Sequence, residues 1–239
     1  MYGREVAGAQ MSKVTPRRAR NPVATREAIL VAARTLIARD GLEAVSVSAV
    51  AQLAGVNRGT AYQRFATREK LVEATLESVS AMLFEATFGD PETAATRDVT
   101  GIDILSLTTK LADFAIENPE LCRIWFLCLL ASEHPDQDPF IHQYLEGFRR
   151  FAGTPLARPN VDSEIVTLMM LAANFLWPVW AKAHEKDEAA RRNLAQRFVD
   201  EVLRLSMFGT MRPEHYPDLV EELARHHGDL PPRAVAGGR

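Results

Sequence analysis

The sequence predicts an all-α protein, and three observations predict it. Apolar residues recur at helical spacing over most of the chain. Glycine and proline breakers divide those stretches into lengths typical of globular helices. No segment alternates apolar and polar residues in the way a half-buried strand does. The 239 residues are 47% hydrophobic and 25% charged, an ordinary balance for a globular protein with a sizeable core.

The elements follow in chain order. Residues 1–20 are polar and basic and are expected to form a disordered arm, with Met11 an alternative start. Asn21-Pro22 suits a helix start, because Asn caps and Pro fits the first turn. Ile29, Ala33, Leu36 and Ile37 then share one helical face, and Asp40-Gly41 ends the helix. Ser46 can cap a second helix through Val47, Val50, Ala51 and Ala54. Gly55 breaks it, and Asn57 can cap a third that carries Ala61, Tyr62 and Phe65. Thr67 can cap a longer fourth helix through Leu71, Leu76, Val79 and Leu83 that stops near Gly89. Residues 89–100 read as a loop by composition. Further helices are expected at about 101–117, 119–133, 138–152, 162–185, 188–208 and 216–226, with a disordered tail at 229–239. The organisation expected is a head at 21–70 and a helical body at 71–228.

Charge separates the head from the body. Residues 1–70 hold 12 Lys/Arg against 5 Asp/Glu, net +7, while the rest carries −10, so the chain totals only −3. A basic head on an acidic body is the footprint of a protein whose head alone meets phosphate. Cys122 and Cys128 point in different directions on a helix and have no metal-ligand spacing with the histidines, so neither a disulfide nor a metal site is expected. This fits a reduced, cytoplasmic setting. The N-terminus lacks the apolar core of a signal peptide. The apolar run 165–180 falls short of the about 20 residues that span a bilayer, and is expected to be a buried helix.

Two short helices joined by a tight glycine turn, at about residues 47–65, form a helix-turn-helix pattern. Small Ala51 and Ala54 allow a close crossing, while Val56 and Phe65 fix the second helix to the core. That helix turns Asn57, Arg58, Thr60, Gln63 and Arg64 outward. Such a face can enter a major groove, where Arg suits guanine and Gln suits adenine. On spacing alone, an ordinary helical hairpin with a solvated face fits as well.

Residues 24–71 resemble the TetR family of transcriptional regulators. The resemblance is carried by Ile29-Leu30, Ala32-Ala33, Leu36-Ile37, Gly41-Leu42, Val45-Ser46-Val47 and Val50-Ala51. It continues from Ala54-Gly55-Val56-Asn57-Arg58-Gly59-Thr60-Ala61-Tyr62 to Phe65 and ends with Thr67-Arg68-Glu69-Lys70-Leu71. It implies a DNA-binding head, a variable helical body that binds ligand, and a homodimer paired through the helices expected at 162–185 and 188–208. It further implies that residues 57–65 are the recognition helix and that Tyr62 meets the DNA backbone, or packs, or both. Arg68 would hold a phosphate, and Ser46 would cap the second helix and touch phosphate. Arg64 departs from the family's usual His or Tyr, which leaves its contact open. Arg58, Thr60 and Gln63 are the candidates for reading sequence. The arm Arg17-Arg18-Ala19-Arg20 either enters a minor groove or stays a solvated tail.

In the body, Trp125, Phe126, Met169, Met170, Asn174, Phe175 and Trp177 are candidates to line a pocket for an apolar or amphipathic effector. The same residues equally suit a packed core or dimer interface, and Asn174 a satisfied core amide. Pro178 is expected to kink its helix. The partners expected are a near-palindromic double-stranded DNA operator, a small effector and a second copy of the chain, with no membrane and no cofactor. No phosphate-cradling glycine loop, nucleophile elbow or zincin motif points to an enzyme. His184-Glu185 and His226-His227 read as solvated. The remaining rivals are an architectural DNA-binding protein that has no effector and a regulator controlled by a protein partner through an exposed apolar patch.

Overall fold

A computed structural model describes residues 22–184 and 187–227. Among them are eleven α-helices: α1 (Pro22–Asp40), α2 (Val47–Leu53), α3 (Arg58–Arg64), α4 (Arg68–Phe88), α5 (Pro91–Thr96), α6 (Ile104–Glu117), α7 (Pro119–Leu130), α8 (Pro139–Ala152), α9 (Ser163–His184), α10 (Glu188–Gly209) and α11 (Pro217–His227). The only strand-like feature among the described residues is one isolated bridge between Ala157 and Met211. The expected Asn21 cap, the basic arm with Arg17, Arg18 and Arg20, Glu185 and the tail at 229–239 lie outside the described residues.

Polar residues set the helix starts by accepting otherwise unmatched backbone N–H groups. Ser46 accepts from Ala49 N at 3.1 Å, Asn57 from Gly59 N at 2.8 Å and Thr67 from Lys70 N at 3.3 Å. Asp103 and Asp187 do the same for α6 and α10. The expected loop at 89–100 in fact contains α5. Asp90 accepts from both Glu92 N and Thr93 N, and Pro91 occupies the first turn. Asp90-Pro91 is therefore the same start signal as Asn21-Pro22, obscured by the short, polar helix that follows.

The long helix α4 organises the packing: it lies against α1 in the head and against α6, α7 and α8 in the body. One apolar cluster runs without a break from Ile29 and Val50 through Phe65, Leu71 and Leu83 to Trp125, Phe140 and Phe175. A second cluster at the far end joins Ala112, Phe151, Trp177, Leu203, Met207 and Leu223. Head and near body thus share a core, so a displacement of α4 is felt in both.

Asp138 fastens the near body. Its Oδ1 accepts from Ser80 Oγ of α4 at 2.8 Å and from Phe140 N and Ile141 N of α8, while its Oδ2 accepts from Trp125 Nε1 of α7 at 3.1 Å. One carboxylate therefore caps α8 and ties it to α4 and α7.

The expectation that 165–180 is a buried helix is corrected. Leu171, Phe175 and Trp177 are buried, but Ile165, Leu168, Met169, Leu176 and Trp180 form an exposed stripe along the opposite side of α9. An apolar run with no polar face cannot be assigned a single buried side by periodicity. By length and composition α9 is also long and apolar enough to cross a membrane. Helix α9 continues through the buried Pro178.

Candidate nucleic-acid interface and body cavity

The α2–α3 turn is determined by its backbone. Gly55 has φ of 62°, the left-handed region that glycine enters without penalty. Val56 N donates to Ala51 O at 2.9 Å and Gly55 N to Gln52 O at 3.2 Å. This is the paired closure of a Schellman motif, and the buried Val56 supplies its apolar contact. Asn57 then caps α3 immediately, so the four residues 54–57 turn the chain from one helix to the next.

Ala61 and Phe65 anchor α3 in the core, and its remaining face is open. Asn57, Arg58, Gln63 and Arg64 are exposed, Thr60 is half-buried, and Tyr62 is 48% exposed with its hydroxyl 3.5 Å from Ser48 Oγ. Neither Arg58 nor Arg64 enters an ion pair among the described residues, whereas Arg34, Arg39 and Lys70 are each matched to a carboxylate. Arg58 and Arg64 thus display unmatched positive charge on α3. Arg26 at the start of α1 lies over the Phe65 ring at 5.8 Å, a contact not anticipated from sequence.

Arg68 works inward. Its Nε donates to Val45 O and its Nη2 to Leu42 O, both at 3.0 Å, and Nη2 also lies 3.7 Å from Glu43. It ties the first turn of α4 to the chain entering α2. This bracing is a role that the sequence resemblance did not supply.

The body holds a partly open cavity of about 120 Å³ between the C-terminal end of α4, α5, α6, α8, α9 and α10. Phe88, Leu107, Phe148, Phe151 and Met211 give it apolar walls, while Arg97, Gln143, Tyr144 and Arg150 supply polar groups. Removal from bulk water pushes the Tyr144 phenol up to about 12, so its hydroxyl stays uncharged far into the alkaline range.

Of the seven body residues singled out from sequence, Met170 alone lines this cavity. Trp125, Phe126 and Phe175 instead build an aromatic core, with Phe175 centred 4.9 Å from Trp125 and stacked on Phe126 at 5.5 Å. Trp177 stacks on Phe198 at 5.0 Å in the second cluster. Asn174 is buried and donates to Met170 O at 2.8 Å, leaving its Oδ1 without a partner. Met169 stands outside, on the exposed stripe of α9.

The cavity residues that sequence reading missed carry one visible signal. Tyr144, Gly147, Phe148 and Phe151 form the inner face of α8, and Arg150 breaks that apolar pattern. Cys122 is buried outside any disulfide, and burial pushes its thiol up to about 12, which disfavours the thiolate that redox sensing needs.

Residues 29–75 match the family model for bacterial regulatory proteins of the tetR family. Among curated proteins, none matches the chain. Solved structures share its fold over nearly their whole length. A gamma-butyrolactone receptor (ArpA-like protein) is 21% identical, covers 85% of this chain and 96% of its own, and superposes with a TM-score of 0.58. A TetR-family transcriptional regulator from Mesorhizobium loti is 14% identical, with coverage of 80% and 98% and a TM-score of 0.60. A transcriptional regulator from Saccharomonospora viridis, in complex with choline, is also 14% identical, with coverage of 80% and 99% and a TM-score of 0.57.

Proposed function

We propose that the chain, whose residues 29–75 match the tetR family of bacterial regulatory proteins, is a ligand-responsive repressor. In this reading a homodimer holds its operator until an apolar or amphipathic molecule enters the body cavity. The observation that carries the reading is the span of α4. Its first residue, Arg68, braces the helix-turn-helix, and its last, Phe88, lines the cavity. The 21-residue helix is about 30 Å long and joins the two sites as one rigid element.

On this account Arg58, Thr60 and Gln63 read base edges, with Asn57 at the helix start. Ser46, Tyr62, Arg64 and Arg68 meet the DNA backbone. The exposed stripe Ile165, Leu168, Met169, Leu176 and Trp180 of α9, together with Leu205 of α10, is the surface that a second copy covers. Two-fold pairing would present two α3 helices to a near-palindromic site, about 34–36 Å apart when they occupy successive major grooves. An apolar stripe on a helix that is otherwise part of the core fits such an interface better than a membrane span, because the opposite side of α9 packs against α7, α8 and α10.

Release requires the effector to bind the DNA-free conformation more tightly than the operator-bound one, and by linkage the operator must weaken effector binding by the same factor. The test is anisotropy of labelled operator during titration with candidate small molecules, paired with calorimetry on free and operator-bound protein. Release with matching factors supports the mechanism. An effector that binds both forms equally refutes it.

A further inference from the structure

We infer that the cavity takes an effector with a carboxylate head and an apolar body, the head being received by Arg150; the inference rests on the cavity being the effector site. Arg150 sits in the last turn of α8 with its guanidinium turned toward α5. Its Nη1 donates to Ala95 O at 3.1 Å and to Arg97 O at 3.2 Å. Its Nε is buried and has no hydrogen-bond partner. A guanidinium carries five N–H donors and is always charged, and a buried unmatched donor on it is costly.

No counter-charge lies at hand. The cavity wall contains two arginines, Arg97 and Arg150, and no aspartate or glutamate among its described residues. The acid nearest in sequence, Glu146, pairs with Arg149. Neither cavity arginine enters an ion pair among the described residues, although nine such pairs form elsewhere, mostly in water. Arg97 itself is tied to Phe88 O at 3.1 Å, which places a second positive group at the same end, beside α4.

Three of the other polar residues of the wall are engaged by backbone carbonyls, while Tyr144 and Ser206 add uncharged hydroxyls to the lining. Thr108 and Thr210 give their hydroxyl protons to Ile104 O and Ser206 O of their own helices, and Gln143 gives its amide proton to Ala94 O. What remains is a mainly apolar, partly open cavity with net positive charge at one end. A carboxylate there would accept from the orphaned Nε in a charge-assisted hydrogen bond and match the charge. The last carbonyls of α5 already hold the guanidinium in place, so the site is preorganised. The same bonds connect a ligand to the α4–α5 junction, because Arg97 O and Phe88 O are both engaged by the two arginines.

The experiment compares octanoate with octan-1-ol, which share an apolar chain and differ in the head, by calorimetry on the full-length dimer at pH 7.5. Octanoate should bind at least tenfold more tightly. In Arg150→Met it should lose at least tenfold, while octan-1-ol changes by less than twofold. Gly147→Leu, which projects into the open space beside Gly147, should exclude both probes while keeping the fold. Equal binding of the two probes to the wild-type protein would overturn the head-group assignment and leave the cavity as an apolar effector site. Binding of neither probe would overturn the assignment and the cavity reading together. Octanoate binding that never releases operator would uphold the assignment and sink the repression mechanism instead. The wild-type comparison does not depend on how well Arg150→Met folds.

Discussion

The head and the body are both built from helices packed through the same kinds of apolar side chain, yet their sites arise in different ways. The head's working surface is a local product. A cap at Asn57, a left-handed glycine at Gly55 and two anchors at Ala61 and Phe65 orient α3, and all its other residues but the half-buried Thr60 are exposed. The body's site is a remainder, the space that six helices fail to fill, and its lining comes from residues more than 120 positions apart, from Phe88 to Met211. A surface made by neighbours in sequence is set by local rules. A cavity is set by the sum of all packing decisions, and no single stretch specifies it.

Substitutions can break or sharpen that contrast. The largest effect is expected at Asp138, which joins three helices of the body. Asp138→Ala removes a cap and two side-chain hydrogen bonds, and should lower stability by about 3 kcal/mol, read as the shift of the denaturant midpoint. Loss of less than about 1 kcal/mol would mean that the near body does not depend on this carboxylate. Next come Arg58→Ala and Gln63→Ala. Each should cost about 1–3 kcal/mol of discrimination at particular base pairs and leave the thermal midpoint nearly unchanged, because both side chains are exposed. Uniform weakening on every sequence would show that α3 positions rather than reads.

Arg68→Ala should act in both ways at once. It should weaken binding to all DNA sequences and reduce the salt dependence, and it should also cost about 1–2 kcal/mol of stability through the lost bonds to Val45 O and Leu42 O. Unaltered stability would assign Arg68 to phosphate alone. Smaller, and opposite in sign, is Gly147→Ala. Its added Cβ meets nothing within 4 Å, and replacing a mid-helix glycine should stabilise by about 0.5–1 kcal/mol.

The last effect is absent at neutral pH and appears only under alkaline conditions. Burial raises the folded Cys122 thiol to about 12, above its unfolded value near 8.5. The folded state therefore holds the proton more tightly than the unfolded state. The associated stability is complete below about pH 8.5 and is lost as pH rises toward 12. Cys122→Ala should flatten this alkaline decline, and iodoacetamide should fail to label Cys122 at pH 8 unless denaturant is present.

The legibility of the sequence follows the same division. Gly55, Asn57, Thr67 and Ser46 act through their own backbone neighbours, so periodicity and capping rules were enough to place α2, α3 and the start of α4. Asp90-Pro91 obeys the same rules, but α5 is too short to show a period. The aromatic and methionine residues of α7 and α9 were visible as a group, and only Met170 reached the cavity. Trp125 and Phe175 pack into one another instead, and Met169 faces out. A uniformly apolar helix offers no phase from which to tell core, cavity and outer stripe apart. Arg150 was readable in principle, as a charge set into the apolar face of α8, but its meaning depends on α5, which the composition had hidden.

The central claim is that the exposed face of α3 reads a sequence. Its most direct test is selection from randomised duplex DNA by the purified full-length protein at physiological salt, run beside Gln63→Ala, with the bound fragments sequenced. The account predicts enrichment of a near-palindromic site and a change of preference at symmetric positions in the variant. Retention of all fragments alike by the wild-type protein would contradict it and favour an architectural role.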